Sequence, residues 1–132
     1  MATVLDASAF LAYLQGEPGA DVVADAIASG TSISSANLAE VLSRVADRGR
    51  DPVALMEGFV AEGLLEGAVE VEPVTLDDAA EIARLRPLTR AAGLSLGDRA
   101  CLALARRLGA EALTADAAWG EVRLDVRLVQ IC

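Results

Sequence analysis

Thr3-Val4-Leu5 is a short apolar and β-branched run that closes on Asp6, after which the chain turns at once into a mostly apolar segment over 7–14. Apolar runs without alternation suit a strand covered on both faces, as in parallel sheets, so the opening reads as strand followed by helix. The Gly16-Glu17-Pro18-Gly19 cluster stops that helix. A second is predicted from Ala20 to Ala28, with Val22, Val23, Ala26 and Ile27 on one face and Asp21 and Asp25 turned to solvent. Thr31 to Ser34 reads as the second strand. The helix after it, over 35–45, carries Leu38, Val41, Leu42 and Val45 on one face and Glu40 in its first turns.

Asp51-Pro52 supplies an N-cap and a first helical position, and Val53, Leu55, Met56, Phe59 and Val60 give the helix that follows a broad apolar stripe. Such a stripe is core by default and can also serve a partner or dimer surface. Val69 to Val74 predicts a third strand, and Thr75 caps another helix with Asp77 and Asp78 as capping acids in its first turn. Arg84, Arg86 and Arg90 lie along this helix and just past Pro87, which is expected to kink or end it. Leu94 to Ala105 predicts a central helix with Asp98 in its first turn. Glu111 to Asp116 repeats the strand-then-aspartate pattern, Ala117 to Gly120 is a brief helical turn, and Val126 to Ile131 a last strand.

Strands alternating with helices imply a parallel α/β sheet, in which every strand's carboxyl end and every following helix's amino end lie on one edge. Asp6, Glu40, Asp98 and Asp116 all fall at such junctions and are therefore expected to be neighbours. Each also has a capping explanation. Asn37-x-x-Glu40 and Ser95-x-x-Asp98 have the form of a capping box, and Asp6 and Asp116 can be plain N-caps. Together, however, clustered carboxylates repel one another unless a cation compensates them, and Mg²⁺ or Mn²⁺ is the hard, oxygen-preferring candidate. Helix amino ends at the same edge add N–H groups for phosphate oxygens.

Composition narrows the chemistry further. At 132 residues, 54% hydrophobic and only 3% aromatic, the chain is expected to form one domain, 1–132, with an Ala, Leu, Val and Ile core. It contains neither histidine nor lysine, so all eleven basic residues are arginines. An imidazole base, a His-ligated zinc, a P-loop and Schiff-base chemistry are thereby excluded. A net charge of −9 argues against coating nucleic acid by charge alone. No apolar run approaches the roughly 18 residues that span a bilayer, and Asp6 interrupts the first, so a soluble, unexported, cytoplasmic protein without membrane contact is expected. Cys101, in an apolar helix, and Cys132 show neither metal-ligand nor disulfide spacing and fit a reducing compartment.

Four segments carry a resemblance: Val4-Leu5-Asp6-Ala7-Ser8-Ala9, Asn37-Leu38-Ala39-Glu40-Val41, Leu94 through Ala105, and Leu113-Thr114-Ala115-Asp116. In order and spacing, over almost the whole chain, they resemble PIN-domain ribonucleases and, within them, VapC-type toxins of toxin–antitoxin pairs. The resemblance implies a three-layer α/β/α sandwich around a short parallel sheet and a divalent-metal endoribonuclease using Mg²⁺, with Mn²⁺ as an alternative. Its acidic quartet would be Asp6, Glu40, Asp98 and Asp116, the three aspartates nearest the metal and Glu40 ligating or positioning water. It implies an RNA substrate cut to 5′-phosphate and 3′-hydroxyl ends, a small antitoxin protein as partner, and a homodimer.

Ser8 and Thr114, each two residues from a candidate ligand, are expected either to orient a carboxylate or water or to bond the local backbone. Arg99 is expected to reach a phosphate or, more commonly, to form a surface ion pair. Trp119 is expected to pack over the sheet edge rather than stack on bases. Competing readings are a housekeeping or DNA-directed PIN nuclease and an inactive PIN-like protein-binding scaffold whose acids are only caps. An aspartyl-phosphate phosphatase is disfavoured, because Asp6-Ala7-Ser8 lacks a second aspartate and no lysine is available.

Overall fold

The computed structural model describes residues 2–132. Five strands form one sheet in the order β3-β2-β1-β4-β5, every neighbouring pair parallel. They are β1 (Thr3–Leu5), β2 (Thr31–Ser34), β3 (Val69–Glu72), β4 (Glu111–Thr114) and β5 (Leu128–Gln130). Between them run α1 (Ala7–Gln15), α2 (Ala20–Ser29), α3 (Ser35–Asp47), α4 (Pro52–Ala61), α5 (Leu76–Thr89) and α6 (Leu96–Leu108), with a 3₁₀ turn at Ala117–Glu121. The expected α/β sandwich is what forms.

Period-two alternation in the central strands sends neighbouring side chains into different cores. Leu5 of β1 and its register partner Leu113 of β4 join Phe10, Val23, Ile33 and Val41 beneath α1, α2 and α3. Val4 and its partner Ala112 join Leu102, Leu104 and Trp119 beneath α6. The chain grows from β1 outward to β3 on one side and then resumes at β4 on the other, so the order reverses between β1 and β4. That reversal leaves a crevice at the strands' carboxyl ends.

Several boundaries differ from the sequence reading. The third and last strands are shorter than expected, β3 ending at Glu72 before Pro73. Pro87 neither ends nor breaks α5, which continues to Thr89. Its missing N–H costs the one ladder bond to the Ala83 carbonyl, and because the helix ends two residues later that loss is confined to the final turn, where Thr89 Oγ1 adds a 2.9 Å bond to the Leu85 carbonyl. The apolar stripe of α4 is core only in part: Met56 and Phe59 pack half-buried against the cluster beneath α1, whereas Val53 and Val60 are 56% and 46% exposed. Cys101 is buried and its thiol is pushed well up, mainly by burial, while Cys132 is exposed and unpaired. Among the described residues no helix is long and apolar enough to cross a membrane.

Asp78 does more than cap. Thr75 and Asp78 form a complete capping box at the start of α5. The same carboxylate receives Arg107 from the last turn of α6 at 3.0 and 3.1 Å, a two-pronged clamp between the helices. Burial raises the Asp78 carboxyl, but the Arg107 and Thr75 hydrogen bonds outweigh it and hold it below the usual range. Arg107→Met should therefore leave a buried acceptor with one of its three donors and destabilise the fold by about 1–3 kcal/mol, read from urea unfolding at neutral pH.

Candidate functional site

Asp6 follows β1 at the order reversal and caps α1, its Oδ1 accepting from Ala9 N at 2.7 Å. Ser8 Oγ donates to the same oxygen at 2.7 Å, and Thr114 Oγ1, at the end of β4, donates to Oδ2 at 2.5 Å. Both hydroxyls also hold the facing loop, Ser8 accepting from Ala115 N at 2.9 Å and Thr114 from Asp116 N at 3.0 Å. The alternatives raised for these hydroxyls are thus both realised. Each orients Asp6 and each bonds backbone. Asp6 is 2% exposed, and burial drives its carboxyl up to about 6 against the opposing hydrogen bonds of Thr114, Ala9 and Ser8, with nearby Asp98 adding a smaller push upward.

The other three acids reach the same place from separate junctions. Asp116 is exposed after β4 and caps the 3₁₀ turn through Oδ1 to Ala118 N at 2.9 Å. Asp98 completes the expected capping box of α6, its Oδ2 accepting from Ser95 N at 2.9 Å while Ser95 Oγ accepts from Asp98 N. Glu40 is exposed on α3. Asp6, Glu40, Asp98 and Asp116 all line one cavity of about 680 Å³, together with Ser8, Ser95 and the arginines Arg44 and Arg48. Capping and convergence are therefore compatible, because a cap occupies one carboxylate oxygen.

The expected Asn37–Glu40 capping box does not exist. α3 follows β2 without a loop, so Ser34 is its N-cap and bonds Ala36 N, which leaves Asn37 inside the first turn. Asn37 is instead fully buried and its Nδ2 donates to Glu40 Oε1 at 2.8 Å and to the Gly97 carbonyl at 2.9 Å. A side chain on Gly97 would overlap the Glu40 carboxylate. Asn37 and Gly97 together set where Glu40 lies, a role the sequence reading missed. The only available signal was a glycine immediately before the acid at the start of a helix.

Two other expectations resolve away from the acids. Arg99 makes no surface ion pair: it is 5% exposed, turned towards α5, and its Nη1 donates to the Ile82 carbonyl at 2.8 Å. One residue on from Asp98 the helix has rotated by about 100°, which carries Arg99 out of the acid cavity. Trp119 is fully buried in the core beneath α6, as the packing reading expected.

The donor set is all oxygen, which suits a hard divalent cation held by a few carboxylates with waters completing its shell. Among the described residues no three acidic or thiol side chains close into a ready-made metal cage. The residues fit such an ion in kind.

The raised Asp6 carboxyl gives stability a definite pH sign. Folded Asp6 holds its proton more tightly than the unfolded chain, so its contribution falls as pH rises from about 4 to about 6 and is constant above that window. The rise from 3.8 to about 6 corresponds to about 3 kcal/mol at about 1.4 kcal/mol per pH unit. Metal-free Asp6→Asn should accordingly gain stability over wild type at pH 7 relative to pH 4. Carboxyl NMR should place the wild-type midpoint near 6; a midpoint near 4 would contradict the burial argument. Gly97→Ala should fold with a melting temperature near wild type, because the flexible Glu40 terminus can yield, while a structure of the variant shows Glu40 displaced from the cavity.

Residues 3–124 match the PIN domain. No curated protein matches the chain. Among solved structures, a toxin–antitoxin complex from Klebsiella pneumoniae aligns at TM-score 0.70 and 16% identity, covering 98% of each chain. DNA-bound VapBC from Salmonella typhimurium aligns at 0.70 and 17%, covering 100% of this chain and 99% of that one. VapC20 from Mycobacterium tuberculosis, described as a sarcin-ricin loop cleaving toxin, aligns at 0.68 and 20%, covering 95% and 98%. At these identities the structures speak for a shared fold, and with the domain match extending over nearly all of the sequence, the chain belongs to the PIN domain family.

Proposed function

We propose that this chain is a divalent-metal-dependent endoribonuclease, the toxin of a toxin–antitoxin pair, acting as one PIN-like domain in the cytoplasm. The observation that carries the reading is the convergence of four carboxylates from four junctions on one cavity, with Asp6 buried and its carboxyl raised to about 6. A buried carboxylate held at such a disadvantage is one that a cation would stabilise. Family nucleases generally use divalent metals, and the fold is shared with a toxin–antitoxin complex and a sarcin-ricin loop cleaving toxin.

In this reading Asp6, Asp98 and Asp116 would hold Mg²⁺, with Mn²⁺ an alternative, and Glu40 would ligate it or position the attacking water. Bound there, such an ion would lower the pKa of a water and offset charge on the phosphate, in a chain that has no histidine to serve as base. Ser8 and Thr114 keep both Asp6 oxygens in one orientation. Asn37 does the same for Glu40. Attack by water rather than by the ribose hydroxyl leaves 5′-phosphate and 3′-hydroxyl ends.

The antitoxin would lay an apolar segment on the early helices and offer a cationic side chain to the acids. A groove of about 260 Å³, with an apolar floor of Leu11, Leu14, Val45, Leu55 and Phe59 and with Arg44, Arg48 and Arg50 in its walls, adjoins the acid cavity and supports the docking of an apolar segment. The exposed Val53 and Val60 of α4 favour a homodimer.

Purified protein freed of any partner should cut a mixed RNA pool with Mg²⁺ or Mn²⁺, stop with EDTA, and leave 5′-phosphates on mapped ends. Asp98→Asn should abolish cleavage, and Thr114→Val should reduce it by about 10- to 100-fold, the usual effect of removing a group that orients a ligand. A folded wild type inert with every metal on both RNA and DNA would instead favour the binding scaffold.

A further inference from the structure

Beyond the acid cavity lies a smaller one of about 280 Å³, walled by Arg86, Arg90, Gly93, Leu94, Ser95, Leu96 and Arg99. Three arginines meet there and no carboxylate lines it, in a chain whose net charge is −9. Arginines elsewhere on the same two helices pair with acids, Arg84 with Glu81, Arg106 with Glu81 and Asp125, and Arg107 with Asp78. Among the described residues Arg86, Arg90 and Arg99 form no ion pair. Arg99 is the telling member. It is 5% exposed, so its charge is held out of water, and its Nε–H is buried with no acceptor. An unpaired buried guanidinium beside two more cations is unfavourable until an anion arrives.

We infer that this pocket takes a phosphodiester of the substrate strand, flanking the one at the acid cavity. A tetrahedral phosphate matches several guanidinium donors at once, and arginine's fixed fork is suited to it. The amino end of α6, capped by Ser95, adds the positive end of a 13-residue helix. Ser95 stands in the walls of both cavities and joins them. A strand crossing this serine would present one phosphate to the carboxylates and a neighbouring one to the arginines. The arrangement gives an acidic protein a local hold on a polyanion without a basic surface, and it rests on the nuclease reading for the identity of the strand.

The test uses Arg86→Gln with Arg90→Gln, two exposed and unpaired positions whose loss does not endanger the fold. Inorganic phosphate, against chloride at matched ionic strength, should move the Arg99 Nε–H resonance of wild type saturably and that of the double variant little. With an oligoribonucleotide and Mg²⁺, the double variant should raise KM about 10-fold with kcat within about two-fold. It should also flatten the dependence of log KM on log salt by about 0.7, as for one lost phosphate contact on a single strand. An Arg99 resonance indifferent to phosphate, or an unchanged KM and salt slope in a protein that does cut RNA, overturns the pocket while leaving the nuclease standing. A phosphate response in a protein that cuts no RNA overturns the strand assignment and leaves a site for free phosphate or a nucleotide.

Discussion

A single buried carboxylate at the point where the strand order reverses ties together sheet, helix and cavity. Asp6 closes β1, caps α1, and is bonded through Thr114 to the end of β4, so one side chain joins the two central strands beyond their last ladder bond. Burial works against its charge, and two hydroxyls and a backbone amide only partly relieve it. Everything else at the edge is arranged about that unfavourable group. Ser8 and Thr114 also grip the loop that carries Asp116, so the positions of two acids are mechanically linked.

The helices that bring the remaining acids are fixed by polar contacts made away from the cavity. Arg107 and Asp78 lock the far end of α6 to the start of α5. Asn37 ties α3 to the start of α6 through the Gly97 carbonyl. The two cores on either side of the sheet set the layers. These polar ties set the register within them, and small errors there would move Glu40 and Asp98 relative to Asp6.

Much of this was legible in the chain because it is written locally. Strand runs ending in acids, the Thr75 and Ser95 caps and the Asp51-Pro52 start all depend on residues within a few positions of one another, and all formed as read. The gathering of Asp6, Glu40, Asp98 and Asp116 followed from a topological rule of parallel sheets. What escaped the reading depends on contacts between distant segments. Asn37 looked like a cap because its partner Gly97 is 60 residues away. Arg99 looked like a surface residue because nothing local marks the Ile82 carbonyl that receives it. Pro87 looked like a stop because its place in the final turn depends on where the helix is allowed to run out.

The hydrogen bonds to the four carboxylates also bear on ion choice. Asp6 accepts on both oxygens, and Glu40, Asp98 and Asp116 each have one oxygen held by Asn37, Ser95 or Ala118. Two-oxygen chelation by any of them would compete with a bond that orients the acid. Calcium, which favours seven or eight ligands and readily takes carboxylates through both oxygens, would find such groups poorly disposed, whereas magnesium's six-coordinate shell asks for one oxygen from each. The hydrogen bonds that hold the acids in place, from backbone amides as much as from side chains, thus also bear on the coordination a bound cation could adopt.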